Sequence, residues 1–262
     1  MTAELIGTLF FSEKRKNLMI FLLKGPMTID EIKTELNVTT SAIMTQIKIL
    51  MDQGLLVYEN NAYSLSVIGK AISQNMLPLL ATLEVYSDNQ KYWTDHKPAF
   101  PPQFLSRIGE LKNCVLVEPE LSRLYELPLK YEKNLLESKK ISDISSFFSP
   151  AYHFTYMKMA QKGVQLDIIL PQQAFDRLKT DYTDFFKEYI SNQNIRIYIY
   201  NEPIGIASAV VTNHFLSLSL FNNSGIYHNH SLMSFESSSI RWGDDLFRWY
   251  LEKSVQIEPN DV

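Results

Sequence analysis

Apolar residues recur three and four positions apart through residues 1–70, then give way to short apolar runs alternating with helical stretches. Residues 4–10 are apolar enough to open a helix. Ser12 is placed to cap the next one, with Glu13 in its first turn. Leu18, Ile20, Phe21, Leu22 and Leu23 give that helix a broad buried side, and Gly25-Pro26 stops it. Thr28 with Glu31 three residues on forms a capping box, and Ile29, Ile32 and Leu36 point inward behind it. Asn37-Val38 makes a tight turn, and Thr39 or Thr40 caps a third helix running to about Gln53. Ile43, Ile47 and Leu50 form its inner stripe, and Gly54 ends it. Leu55–Tyr58 and Ala62–Leu65 read as paired strands, with Glu59-Asn60-Asn61 as the turn between them.

The pattern then changes. Residues 72–92 predict a long helix with Leu77, Leu80 and Leu83 on one side, suited to a dimer contact. Three prolines between Trp93 and Pro102 end it. A short helix at 104–108, a strand at 114–117 and two helical pieces over 119–139, broken near Pro128, follow. Residues 141–150 hold a short strand and a turn, and 152–162 a helix closed by Gly163. Val164–Leu170 is a strong strand, Pro171 opens a helix to Ile190 at its favoured first position, and Ile195–Tyr200 is the next strand. Residues 207–212 and 215–221 form a hairpin turning at Asn213-His214, residues 225–228 add a further strand, and 240–253 form the closing helix with Trp242, Leu246 and Trp249 inward. Strand–helix repeats of this kind imply a sheet with helices packed on it. The expected fold is α/β, an N-terminal winged helix-turn-helix followed by an α/β body with a mixed sheet. The expected domains are 1–70, a linking and dimerising segment 71–102, and a regulatory body 103–262.

The outer face of the third helix carries Thr40, Ser41, Met44, Thr45 and Lys48. Short hydroxyls approach phosphates and base edges, and a cation neutralises a phosphate, so this is the mixture a recognition helix uses. Gln46 lies beside that face. The wing turn, Glu59, Asn60 and Asn61, carries an acid where minor-groove wings favour Arg or Lys. Thr28-Ile29-Asp30-Glu31-Ile32, then Val38–Ile43, then Leu50–Leu56, resembles the ArsR/MarR-like winged helix of prokaryotic regulators. Tyr63-Ser64-Leu65 with Gly69 is similar to the motif that ends their wing. That resemblance implies that the helix opening at Thr40 enters the major groove of double-stranded DNA. The metal-sensing cysteines and histidines of those families are absent here.

Charge tempers this picture. The 262-residue chain carries a net charge of −4, and residues 1–70 hold seven basic and seven acidic side chains, so any DNA footprint must be a local patch. Hydrophobic residues at 45% support real cores. The lone cysteine, Cys114, excludes disulfides within the chain and multi-cysteine metal sites; it reads as a small core residue. No apolar run approaches a membrane span, and the mixed charges near Met1 do not suit a signal peptide, so a cytoplasmic protein is expected.

Catalytic chemistry finds no foothold. None of His96, His153, His214, His228 and His230 supplies the His-x-Lys set of a phospholipase-D-type site. His228 and His230 would share a strand face but lack a third ligand nearby, so no metal or cofactor is expected. An effector pocket would lie at the ends of the parallel strands, and Ser149, His153, Asp167 and Thr212 are its candidate residues. Tyr152, Tyr156 and Tyr198 are candidates for an aromatic lining.

Phe148-Ser149-Pro150, the Gly163-Val164 strand entry with the Pro171 helix and Ile195-Arg196, and the run Ile240 to Tyr250 containing Trp242-Gly243 together resemble archaeal, mostly methanogen, transcriptional regulators. In that group a winged helix precedes a methanogenesis-regulator-type middle domain. The resemblance implies a signal-responsive or oligomerising body whose ligand is unassigned. The expected function is a DNA-binding transcriptional regulator, a homodimer whose body senses an unknown signal, with a small-molecule effector among the expected partners. The competing expectation is a winged helix used for protein contacts without DNA; an enzyme with an unrecognised site comes third.

Overall fold

The computed structural model describes residues 2–119, 127 and 129–258. Two compact units divide between Leu80 and Ala81. The first holds α1 (Thr2–Phe10), α2 (Glu13–Phe21) with a 3-10 turn at Leu22–Lys24, α3 (Ile29–Leu36), α4 (Thr40–Asp52), β1 (Leu56–Glu59), β2 (Ala62–Leu65) and the start of α5 (Val67–Asp88).

Local chemistry sets these boundaries. The Ser12 hydroxyl accepts from the Arg15 N–H at the start of α2. Thr28 and Glu31 form a complete capping box on α3, and Asn37 leaves that helix in the left-handed region at φ 48°. The Thr39 hydroxyl caps α4 by accepting from the Ala42 N–H. Leu18, Met19, Ile32, Ile43, Ile47 and Leu50 are buried together, with Leu55 and Leu56 beneath them. Asn60 and Asn61 take φ 51° and 63°, the paired positive values of a two-residue hairpin turn. Glu59 therefore pairs with Ala62 as the last residue of β1, and the turn itself is Asn60-Asn61 alone. Met27 and Tyr63 exchange backbone hydrogen bonds of 2.9 and 2.8 Å, anchoring β2 to the segment before α3.

On the long helix, two of the leucines expected on one side are open. Leu77 and Leu83 are 47% and 48% exposed. Inside the first unit its buried positions are Gly69, Ser73 and Met76. These follow helical spacing, and two of them are small or polar, so apolarity alone does not mark the inner face. Leu79, Leu83 and Tyr86 recur at helical spacing and are each more than two-fifths exposed.

The second unit is α/β. Its helices are the end of α5, α6 (Gln90–Asp95), α7 (Pro102–Leu105) with a 3-10 turn at Ile108–Glu110, α8 (Leu129–Leu136), α9 (Pro150–Gln161), α10 (Gln172–Asp181), α11 (Thr183–Ser191) and α12 (Ser237–Leu251). Its strands are β3 (Val115–Val117), β4 (Lys140–Ser145), β5 (Gln165–Pro171), β6 (Ile195–Tyr200), β7 (Ser208–Thr212), β8 (Leu216–Ser219), β9 (Ser231–Ser234) and β10 (Ser254–Gln256). Among the described residues they form one sheet in the order β10-β6-β5-β4-β7-β8-β9-β3. β4, β5 and β6 run parallel, and the other pairings are antiparallel. The fold is thus a winged helix-turn-helix followed by an α/β body on a mixed sheet.

Alternation along the strands gives the sheet two covered faces. Leu166, Ile168 and Leu170 of β5 meet α8 to α11 on one face. Ile169, Val211 and Leu216 meet α6, α7 and α12 on the other. Trp242 of α12 is fully buried, donates its indole N–H to the Phe104 carbonyl at 3.2 Å and meets Phe100 edge-on. A Cβ on Gly243 would lie 2.8 Å from both Val211 Cγ2 and Leu216 Cδ1, so this helix approaches the sheet more closely than a side chain permits.

Several expected elements are revised. Residues 225–228 are no strand: the Asn222 carboxamide oxygen captures the Ser224 and Ile226 N–H groups at 2.9 and 2.8 Å, and Gly225 turns the chain at φ 76°. The neighbouring strand is β9. The helix expected over 171–190 is two helices, because Tyr182 leaves helical geometry (φ −130°, ψ 46°) and lies against Phe148 at 5.0 Å. Pro171 is the N-cap of α10 and not its first helical residue. Cys114 is half-buried just before β3, its thiol pointing at the Leu111 carbonyl. Of the helical pieces expected over 119–139, α8 is seen; residues 120–126 and Pro128 lie outside the described residues.

Candidate nucleic-acid interface and buried acid cavity

Helix α4 presents one polar face. Thr40, Ser41, Met44, Thr45 and Lys48 are all exposed, above Ile43, Ile47 and Leu50, which are at most 1% exposed. The Thr45 hydroxyl donates to the Ser41 carbonyl at 3.1 Å, which fixes its hydrogen and leaves its lone pairs outward. Met44 Sδ accepts from Tyr63 Oη at 3.7 Å, linking the helix to β2, and Tyr63 packs on Tyr58 at 4.6 Å. Tyr58 Oη in turn donates to Asn61 Oδ1 at 2.7 Å, so the wing turn is braced from its own strand.

Gln46 is committed elsewhere. Its Oε1 accepts from Arg15 Nη1 at 2.7 Å, and Arg15 Nε also donates to the Thr8 carbonyl. Arg15 thereby braces α4 against α1 and α2. Three other cations of this unit are paired, Lys16 with Glu13, Lys24 with Glu35 and Lys33 with Asp30. Lys14, Lys48 and Lys70 form no ion pair among the described residues, and only Lys48 sits on α4.

In the body, a narrow cavity opens over the carboxyl ends of β4 and β5. About 30 Å³ of it admits the centres of water-sized spheres. Asp143 of β4 lies at its base, with Phe148 and Ser149, Tyr152 and Tyr156 of α9, and Tyr189 of α11 around it. Asp143 Oδ2 accepts from Tyr156 Oη at 2.9 Å. Its Oδ1 is buried with no hydrogen-bond partner among the described residues. Burial pushes the Asp143 carboxyl up to about 7, against the opposing pull of the Tyr156 bond. Burial also raises the Tyr152, Tyr156 and Tyr189 hydroxyls, so they stay protonated donors at neutral pH.

The four residues expected to form an effector pocket do not come together. Ser149 lines the cavity. His153, one turn on, is buried and stacked on Phe185 at 3.7 Å with Nε2 3.1 Å from Glu188; burial lowers its pKa, partly countered by that carboxylate. Asp167 faces the other side of the sheet, where it takes two hydrogen bonds from its cross-strand partner Arg196 at 2.6 and 2.8 Å. Thr212 spends its hydroxyl on the β7–β8 turn, accepting from the His214 and Phe215 N–H groups at 3.3 and 3.1 Å. Tyr198 packs with Tyr200 and Ile169 on that same opposite face. Sequence reasoning missed Asp143 and Tyr189. An acid inside an otherwise buried strand was the available signal. His96, His228 and His230 gather near one another with ring spacings of 6.1 to 6.2 Å, and no group of three or more His, Cys, Asp or Glu among the described residues is arranged to hold a metal.

Two family models match this chain. The methanogenesis regulatory protein FilR1 N-terminal domain covers residues 3–84, and the FilR1 middle domain covers 124–253. The chain belongs to the FilR1 family. The N-terminal FilR1 match takes in α4 and the wing, and the middle-domain match takes in Asp143, the cavity and α12. The methanogenesis regulatory protein FilR1 of Methanothrix harundinacea (strain 6Ac) is 23% identical over 260 residues, 96% of this chain and 57% of that protein. The chain therefore spans little more than half the length of its FilR1 relative. Among solved structures, the archaeal chromatin protein TrmBL2, described with a novel mode of DNA binding, aligns over 96% of this chain and 97% of its own at 13% identity and a TM-score of 0.44. Nuc, a phospholipase D family member from Salmonella typhimurium, aligns over 50% of this chain and 90% of its own at 11% identity and a TM-score of 0.40. Likeness at this level carries no functional weight for the FilR1 fold. Among the described residues, no helix is long and apolar enough to cross a membrane.

Proposed function

We propose that this protein is a transcriptional regulator that binds double-stranded DNA through α4. The observation that carries the reading is the exposed row Thr40, Ser41, Thr45 and Lys48, held over a buried apolar stripe by caps and by Arg15. A rigid helix with short hydroxyls and one unpaired cation is equipped to lie in a major groove. Membership of a family named for regulation supports the same reading. The protein acts as a homodimer, with the exposed stripe Leu79, Leu83 and Tyr86 of α5 as its contact; apolar side chains at helical spacing seek a partner of the same kind. The body responds to a small-molecule effector, which shifts DNA affinity only if it favours one dimer arrangement over another.

Selection from a random DNA pool with purified protein, repeated over a salt series, tests this. An enriched motif with inverted half-sites is the expected result. Absence of any enrichment at low salt would overturn it in favour of a winged helix that contacts protein. The balance of seven basic and seven acidic residues in 1–70 is the observation favouring that second reading.

A further inference from the structure

The cavity in the body has a chemistry that narrows what fits it. Asp143 is 6% exposed and forms no ion pair with any cation among the described residues. One of its oxygens has no hydrogen-bond partner among the described residues. An acid so placed either holds a proton or awaits a positive group, because a buried carboxylate without a partner is costly. Part of the wall around it is aromatic, Phe148, Tyr152, Tyr156 and Tyr189, beside aliphatic side chains such as Ile168 and Leu178. Aromatic faces are negative and attract cations, most strongly where water is excluded, and alkylated ammonium groups are bound this way.

Other ligand classes fit less well. Among the described residues no Lys or Arg lines the space, so an anion would meet Asp143 with no cation there to balance it. Among the described residues of the lining, a metal ion would find one carboxylate and no further charged or imidazole ligand. With about 30 Å³ open to water-sized centres, a nucleotide is excluded and a compound of a few heavy atoms is favoured.

We propose that this cavity binds a small organic cation of the alkylammonium class, its charge against Asp143 Oδ1 and its alkyl groups against the rings of Phe148, Tyr152 and Tyr189. This rests on the reading of the body as the effector-responsive part and gives that effector a chemical class. Recognition combines one ionic contact, which requires the positive charge, with ring faces that select for alkylated nitrogen over the strongly hydrated ammonium ion. The Tyr156 bond holds the carboxyl group in place for that contact.

Calorimetric titration of the full chain at about pH 8, where Asp143 is largely ionised, provides the test. The probes are choline, tetramethylammonium and dimethylbutanol, the uncharged carbon counterpart of choline. Choline is expected to bind at least about tenfold more tightly than dimethylbutanol, and Asp143→Asn to remove that preference. Equal binding of choline and its neutral counterpart, or no heat from either cation up to about 10 mM, would overturn the proposal. The wild-type comparison decides the matter even if the variant does not fold. DNA selection on the same preparation separates the two readings. Selected DNA without cation binding sinks the ligand class alone, whereas cation binding without selected DNA sinks the regulator and leaves the site.

Discussion

Tyr156 reaches from α9 across the cavity to donate a 2.9 Å hydrogen bond to Asp143 of β4, and among the described residues that bond is the one polar tie of the carboxyl group. The pair fixes how the body should respond to pH. The Asp143 carboxyl sits at about 7 in the folded protein against 3.8 for an unperturbed aspartate. Between those values the folded state holds a proton that the unfolded chain has lost. Its contribution to stability is therefore complete below about pH 3.8 and declines as pH rises to about 7. Tyr131, Tyr152, Tyr156 and Tyr189 surround it and stay neutral across this window. Denaturant unfolding at a series of pH values should show Asp143→Asn with a flatter profile than wild type and greater relative stability, by a few kcal/mol, at about pH 8. A parallel pair of profiles would mean that Asp143 titrates normally.

Lys48 and Thr45 should separate affinity from specificity. Lys48→Glu is expected to weaken binding to all DNA sequences alike and to reduce the salt slope by about one phosphate contact. Thr45→Ala should change the selected motif more than the overall affinity. Electrophoretic titration over a salt series and repeated pool selection read the two effects, and equal behaviour of both variants would place the DNA-facing side elsewhere on α4.

Gly243 leaves no room for a side chain. Its added Cβ would stand 2.8 Å from Val211 Cγ2 and Leu216 Cδ1, both on strands of a packed sheet. Gly243→Ala should cost about 1–3 kcal/mol through overpacking, despite the better helix propensity of alanine. A thermal midpoint equal to or above wild type would show that α12 lifts away without penalty.

The exposed stripe of α5 can be tested by charge. Leu83 is 48% exposed, so Leu83→Glu should leave the thermal transition of a monomer nearly unchanged while blocking an apolar contact between copies. Light scattering after size exclusion should show the wild type at twice the chain mass and the variant at one chain mass. Identical masses for both would remove Leu83 from any dimer contact.

Where sequence signals are local, they proved sufficient. The Thr28–Glu31 capping box, the Thr39 cap and the Ile43, Ile47, Leu50 stripe place α3 and α4 without any tertiary information. The hairpin at Asn213-His214 was equally legible, because two apolar runs flank a short polar turn. The face of α5 was not, since its inner positions include Gly69 and Ser73, which no hydrophobic count registers. Strand β4 reads weakly because Ser142, Asp143 and Ser145 interrupt its apolar pattern, yet it lies between β5 and β7 within the sheet. Asp143 is met there by Tyr156 of α9, and sequence spacing carries no trace of that pairing. The cavity draws on β4, α9 and α11, whose contributions converge only through the order of strands in the sheet.

That order has one more consequence, at its two ends. β3 and β10 close the sheet on either side, and each is three residues long. Among the described residues, little unpaired strand backbone is left at either margin for another chain to extend, which is how natural sheets guard against edge-to-edge pairing. Growth of this sheet by strand addition is thereby disfavoured.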